Sequence, residues 1–186
     1  MIFTRSCVSM AAVLLLLFLP VCPSLATEDK PVAKSASALS LSTIKNGTYK
    51  VESHSGMIKL KNGEAEGDFP GGAIAGGWLC KIEQVALGDV DGDGKGDAVI
   101  VIGYNGGGSG YFVNLVAVLN KNGHPVQGAS YDLGDRVIVK DLRLSKQRVT
   151  LVMLDHGDSD GLASASLKKS LSFRLVEKRW QVKSLK

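Results

Sequence analysis

The chain has 186 residues, a net charge of +4 at pH 7, 45% hydrophobic and 22% charged residues. That length suits one domain with its own core, and the apolar content excludes an intrinsically disordered chain. The basic excess is too slight and too scattered for a nucleic-acid binder.

Residues 1–26 read as a secretory signal peptide. Arg5 supplies the positive n-region, 11–19 the apolar h-region, and Ser24-Leu25-Ala26 a small-x-small cleavage site. The apolar run is shorter than the roughly 20 residues a bilayer span needs, and no later segment approaches that length. The expected location is therefore outside the cytoplasm, periplasmic or extracellular, with no transmembrane segment. Leu19-Pro20-Val21-Cys22 resembles a lipobox, but Val21 is bulky where such a box carries a small residue, so no anchor at Cys22 is expected. Cys7 and Cys22 leave with the signal, so no internal disulfide is possible in the remainder. Cys80, between Leu79 and Ile82, reads as a buried, inert thiol.

Residues 27–45 mix Lys, Ser and Ala without a sustained period and read as a flexible leader containing at most a short helical turn. From 46 to 186 the pattern is that of an antiparallel β domain. Tyr49 and Val51 alternate with Lys50 and Glu52, Ile58 and Leu60 with Lys59 and Lys61, and Asn62-Gly63 is a type I′ turn signal. An irregular stretch over 69–77 precedes a strand at 79–87. The β-branched run Ala98-Val99-Ile100-Val101-Ile102 predicts a central strand covered on both faces. Further strands are predicted at 111–119, 126–133, 136–144, 148–154, 166–176 and 180–185, with glycine-containing or polar breaks between them. No helical stripe persists over three turns. The fold class is mainly β, a single antiparallel domain, with barrel, sandwich and open sheet all compatible with the periodicity.

Between two predicted strands stands Asp89-Val90-Asp91-Gly92-Asp93-Gly94-Lys95-Gly96-Asp97. Four carboxylates in nine residues repel one another unless a hard cation takes their oxygens as ligands. Asp89, Asp91 and Asp93 hold positions 1, 3 and 5, Lys95 offers a main-chain carbonyl at position 7, and Asp97 closes the set. Gly92 and Gly94 supply the left-handed backbone such a turn needs. All-oxygen ligands in a carboxylate-rich shell favour Ca²⁺, and a site of about 10⁻⁴ to 10⁻³ M affinity, as in extracellular modules, suits a structural ion. An EF-hand is excluded because position 12 is Ile100, in a strand, where that loop needs a bidentate Glu.

The pattern Asp-x-Asp-x-Asp-Gly-x-x-Asp followed by a strand resembles the calcium loop of FG-GAP and VCBS-type repeats. With Asn46-Gly47-Thr48-Tyr49, Gly107-Gly108-Ser109-Gly110 and Leu133-Gly134-Asp135-Arg136-Val137, the stretch 46–185 is similar to small secreted bacterial proteins of unknown function that carry one such loop. The resemblance implies an exported single domain without an established activity. Any partner would then be an envelope or extracellular protein or a glycan.

A second polar cluster, Asp155-His156-Gly157-Asp158-Ser159-Asp160-Gly161, reads as a solvated turn and matches no hydrolase motif. It remains the seat of the alternative function, a hydrolase of unrecognised class. His54 and His124 stand beside turn residues and are expected at the surface. The glycines at 106–110 lack the Lys-Ser/Thr ending of a phosphate loop and predict a hairpin loop, and Asp135-Arg136 predicts a local ion pair.

Overall fold

A computed structural model describes residues 38–69, 77–158, 160–161 and 164–185. The signal sequence at 1–26, Cys22, the leader up to residue 37 and most of the irregular stretch at 69–77 lie outside the described residues.

A single turn of helix, α1 (Leu41–Lys45), is capped by Ser40, whose Oγ accepts the Thr43 N–H at 3.0 Å. It falls within the span read as leader, yet Leu39 is 4% and Ile44 0% exposed. Burial of these two side chains builds the segment into the core. Tyr49 ties it down further, its hydroxyl donating to the Ile44 carbonyl at 2.7 Å.

Among the described residues eleven strands follow, every pairing antiparallel. β1 (Thr48–Lys50) and β2 (Met57–Lys59) form a two-stranded ribbon. β3 (Glu64–Gly67), β4 (Trp78–Gly88), β5 (Asp97–Asn105), β6 (Phe112–Lys121) and β7 (His124–Asp135) make a five-stranded meander in that order. β8 (Ile138–Ser145), β9 (Arg148–Asp155), β10 (Leu167–Val176) and β11 (Arg179–Leu185) make a second meander of four. The three sheets stay open, and none closes into a barrel.

The chain buries both faces of its five-stranded sheet. Ala98, Ile100, Ile102 and Tyr104 of β5 point into one core with Ile44, Tyr49, Val51, Ile58 and Leu60 from α1 and the ribbon. Val99 and Val101 point into the other, against Val139, Val149, Leu151, Met153 and Phe173 of the four-stranded sheet. Alternate residues of a strand face opposite sides, so two cores demand an unbroken apolar run. At about 1.5–3 kcal/mol for each fully buried Val or Ile, β5 contributes more than any edge strand.

The Asn62-Gly63 turn forms, with φ of +56° and +95°, and Lys61 and Glu64 exchange main-chain hydrogen bonds at 2.8 and 3.2 Å across it. The hairpin nevertheless ends at that bridge. Leu60 N–H donates to Gly47 and Ile82 N–H to the Gly63 carbonyl, so neighbouring segments take over the ladder. β2 therefore goes to one sheet and β3 to another.

Candidate metal centre

The β4–β5 hairpin closes on the pair Gly88↔Asp97, and residues 89–96 form its acidic connection. Two buried side chains root it. Val90, 1% exposed, inserts into the core between the large sheets. Asp97, also 1% exposed, has both carboxylate oxygens engaged: Oδ2 accepts the Val90 N–H at 3.0 Å and Oδ1 the Asn120 N–H at 2.7 Å.

Between these anchors the chain coils by side-chain-to-backbone bonds of the kind Asp makes in turns. Asp89 accepts from Gly92 at 2.7 Å and Gly94 at 3.2 Å, Asp91 from Asp93 at 3.2 Å, and Asp93 from Lys95 at 2.9 Å. Gly92 and Gly94 have φ of +85° and +77°, a conformation that costs an L side chain energy. The coil brings together what the spacing predicts. Donor oxygens of Asp89, Asp91, Asp93 and Asp97 all lie within 4.8 Å of one another, the one such group of three or more among the described residues. A metal ion can be held there.

Two ammonium groups currently moderate the repulsion. Lys95 Nζ sits 2.9 Å from Asp93 Oδ2, so this side chain folds back on the loop instead of pointing to solvent. Lys121 Nζ lies 3.6 Å from Asp91 and 4.0 Å from Asp93. The Lys95 hydrogen bonds hold the Asp93 carboxyl below its ordinary pKa. Burial pushes Asp97 the other way, against the N–H groups of Asn120 and Val90.

The flanking residues come from far along the chain. Asn120 donates from its side chain to the Gly96 carbonyl at 3.1 Å and accepts the Gly123 N–H at 2.7 Å. Leu39 N–H also reaches Gly96, at 3.0 Å. The β8–β9 turn abuts the other side, where a Cβ placed on Gly92 would stand 3.1 Å from Gln147 Nε2. Sequence spacing carries no signal for Lys121, Gln147 or Leu39 in this role. Asn120 shows only as the first residue of a turn.

The second acidic cluster is a turn in which two of the three carboxylates, those of Asp155 and Asp160, are spent locally. Asp155 pairs with Lys169 Nζ at 2.6 Å and accepts the His156 N–H. Asp160 accepts from Gly157 N–H and from both the N–H and the hydroxyl of Ser166. Asp155 ends β9, whereas the turn against the acidic loop precedes that strand, so the two acidic clusters occupy opposite ends of it.

Elsewhere, Arg136 and Asp135 form their ion pair, with Arg136 Nε 3.0 Å from Oδ2, and 106–110 form the β5–β6 loop. His124 is exposed. His54 departs from the surface expectation: it is half-buried, with Nδ1 3.0 Å from the Tyr104 hydroxyl, because ring packing against Trp78 and Tyr104 holds it. No helix among the described residues is long and apolar enough to cross a membrane.

No family model, curated protein or solved structure matches this chain.

Proposed function

We propose that this chain is an exported, non-enzymatic β module of the FG-GAP/VCBS-like kind, whose acidic hairpin holds one structural Ca²⁺. The carrying observation is the convergence of four carboxylates within 4.8 Å, one of them buried at the base of the loop. Asp89, Asp91, Asp93 and Asp97 supply carboxylate oxygens and Lys95 its main-chain carbonyl, a hard set that suits Ca²⁺. The bound ion would neutralise charge that Lys95 and Lys121 now balance.

The ion's task on this reading is to hold segments together. The loop touches the N-terminal segment through Leu39, β6 through Asn120 and the four-stranded sheet through Gln147. Fixing its conformation fixes all three contacts. Secretion and a bacterial envelope location belong to the same proposal and rest on the reading of residues 1–26.

Thermal melting and calorimetric titration test it. At 100 times the dissociation constant, Ca²⁺ should add about 2.7 kcal/mol. Excess chelator should remove that gain, and Asp93→Ala should abolish the calcium response with little change in the metal-free protein. An unchanged melting temperature with no binding heat would overturn the metal reading.

A further inference from the structure

Away from the acidic loop, at the far end of β5, the structure gathers a second set of side chains. Asp97 opens that nine-residue strand and Tyr104 lies near its end, so the two ends stand roughly 25 Å apart at about 3.4 Å per residue. Around Tyr104 the ring centroids of His54 and Trp78 lie 5.4 and 6.3 Å away, and 4.9 Å from each other. These rings form the wall of a cleft of about 450 Å³, with Phe69 beside them and Ser53, Ser55 and Asp68 completing it.

We propose that this cleft binds a neutral saccharide. Its chemistry is aromatic surface edged by uncommitted hydrogen-bonding groups. The Asp68 carboxylate, the Ser53 and Ser55 hydroxyls, the Trp78 indole N–H and His54 Nε2 have no hydrogen-bond partner among the described residues. The other tryptophan behaves differently, since Trp180 Nε1 donates to the Ala129 carbonyl at 3.1 Å. Tyr104 is 2% exposed, so its phenolic hydrogen needs an acceptor, and His54 Nδ1 at 3.0 Å is that acceptor. The imidazole then carries its hydrogen on Nε2 and presents a donor.

Donors and acceptors together select the ligand class. A sugar hydroxyl both gives and takes a hydrogen bond, and the C–H face of a pyranose ring lies flat on an aromatic wall. An anion finds no Lys or Arg among the lining residues and meets Asp68. A quaternary ammonium leaves the Trp78 and His54 donors without partners, and rings in mutual contact at 4.9–6.3 Å do not open into a cage around it.

The test is titration of the full chain, carrying Trp180→Phe so that emission reports Trp78, with cellotriose, maltotriose and the trimer of N-acetylglucosamine. Tetramethylammonium and adenosine are the competing probes. The expected result is a saturable shift with at least one trisaccharide, weakened at least tenfold by Asp68→Asn and by His54→Ala, and unchanged by chelator. Asp68 is exposed, so its replacement leaves the fold intact. Silence across all three sugars overturns the proposal, as does saturation by tetramethylammonium or adenosine alone. Sugar binding that both variants leave unchanged overturns it too. Because chelation is an arm of the experiment, failure here is separable from failure of the calcium site.

Discussion

Asp97 at the start of β5 accepts the main-chain N–H of Asn120 in β6 at 2.7 Å, while its other oxygen takes the Val90 N–H. One buried carboxylate thus ties the acidic loop to the neighbouring strand. Asp97→Ala leaves two buried N–H groups unpaired, at about 1–3 kcal/mol each. In the presence of chelator, urea denaturation should show a loss of about 2–5 kcal/mol, and Asp97→Asn, which keeps one acceptor, a smaller one. A loss below about 1 kcal/mol for Asp97→Ala would show that the loop is not held this way.

Lys121 competes with any cation for Asp91 and Asp93. It is half-exposed, and pairs of that kind contribute about 0.2–1 kcal/mol. Lys121→Ala should therefore tighten Ca²⁺ binding by roughly 1.4- to 5-fold, read by calorimetry at low ionic strength. Weaker binding in this variant would contradict the competition.

Among the described residues, the β8–β9 turn at Lys146-Gln147 and the β10–β11 turn at Glu177-Lys178 are made without glycine. Glu177 and Lys178 have φ of +48° and +62°, between the closing pair Val176↔Arg179. Both sit where Asn-Gly is preferred, and left-handed backbone costs an ordinary residue about 1–2 kcal/mol. Replacing them together, Glu177→Asn with Lys178→Gly, should raise stability by about 1 kcal/mol and the melting temperature by about 2–4 °C. No gain would mean the native side chains make compensating contacts.

Burial alone would raise the Asp155 carboxyl, but the Lys169 ammonium and the His156 N–H hold it below the ordinary 3.8. The folded state therefore binds this proton less readily than the unfolded chain. Its stabilisation is present above the unfolded value and is lost as pH falls through the lowered folded value. Asp155→Asn should flatten the acid limb of the stability profile below about pH 4 and leave its shape near neutrality unchanged. An acid limb as steep as that of the parent would assign the effect elsewhere.

Cys80 is fully buried in the core shared with α1 and the ribbon, and burial pushes its thiol up to about 12. With Cys7 and Cys22 replaced by Ser, an aromatic disulfide reagent at mildly alkaline pH should label it only as fast as the domain opens. Rapid labelling of the native protein would show a more accessible thiol.

The sequence announced the inner strands most clearly, because they bury one or both faces and alternation or an unbroken run records that burial directly, whereas β3 and β11 bury no side chain fully. Phe173 with Leu171 and Leu175 shows the first pattern, and 98–102 the second. The Asp spacing announced the acidic loop for a similar reason, since its coil is made by contacts between residues two to five positions apart and closed by the Val90–Asp97 bond seven apart. The helix at Leu41–Lys45 was harder to see. Five residues are too few for a period, and what holds them is burial of Ile44 and the Tyr49 hydroxyl.

Local chemistry therefore settled the strands, their turns and the converging carboxylates from the chain alone, because the interacting atoms are neighbours in sequence. Only the folded chain shows that the Asn62-Gly63 hairpin splits between two sheets, that β5 separates two cores, and that Lys121 and Gln147 border the acidic loop. The same holds for His54 meeting Trp78 and Tyr104. Periodicity says that a face is covered without saying what covers it, and those partners are chosen by packing and hydrogen bonding between segments distant in sequence.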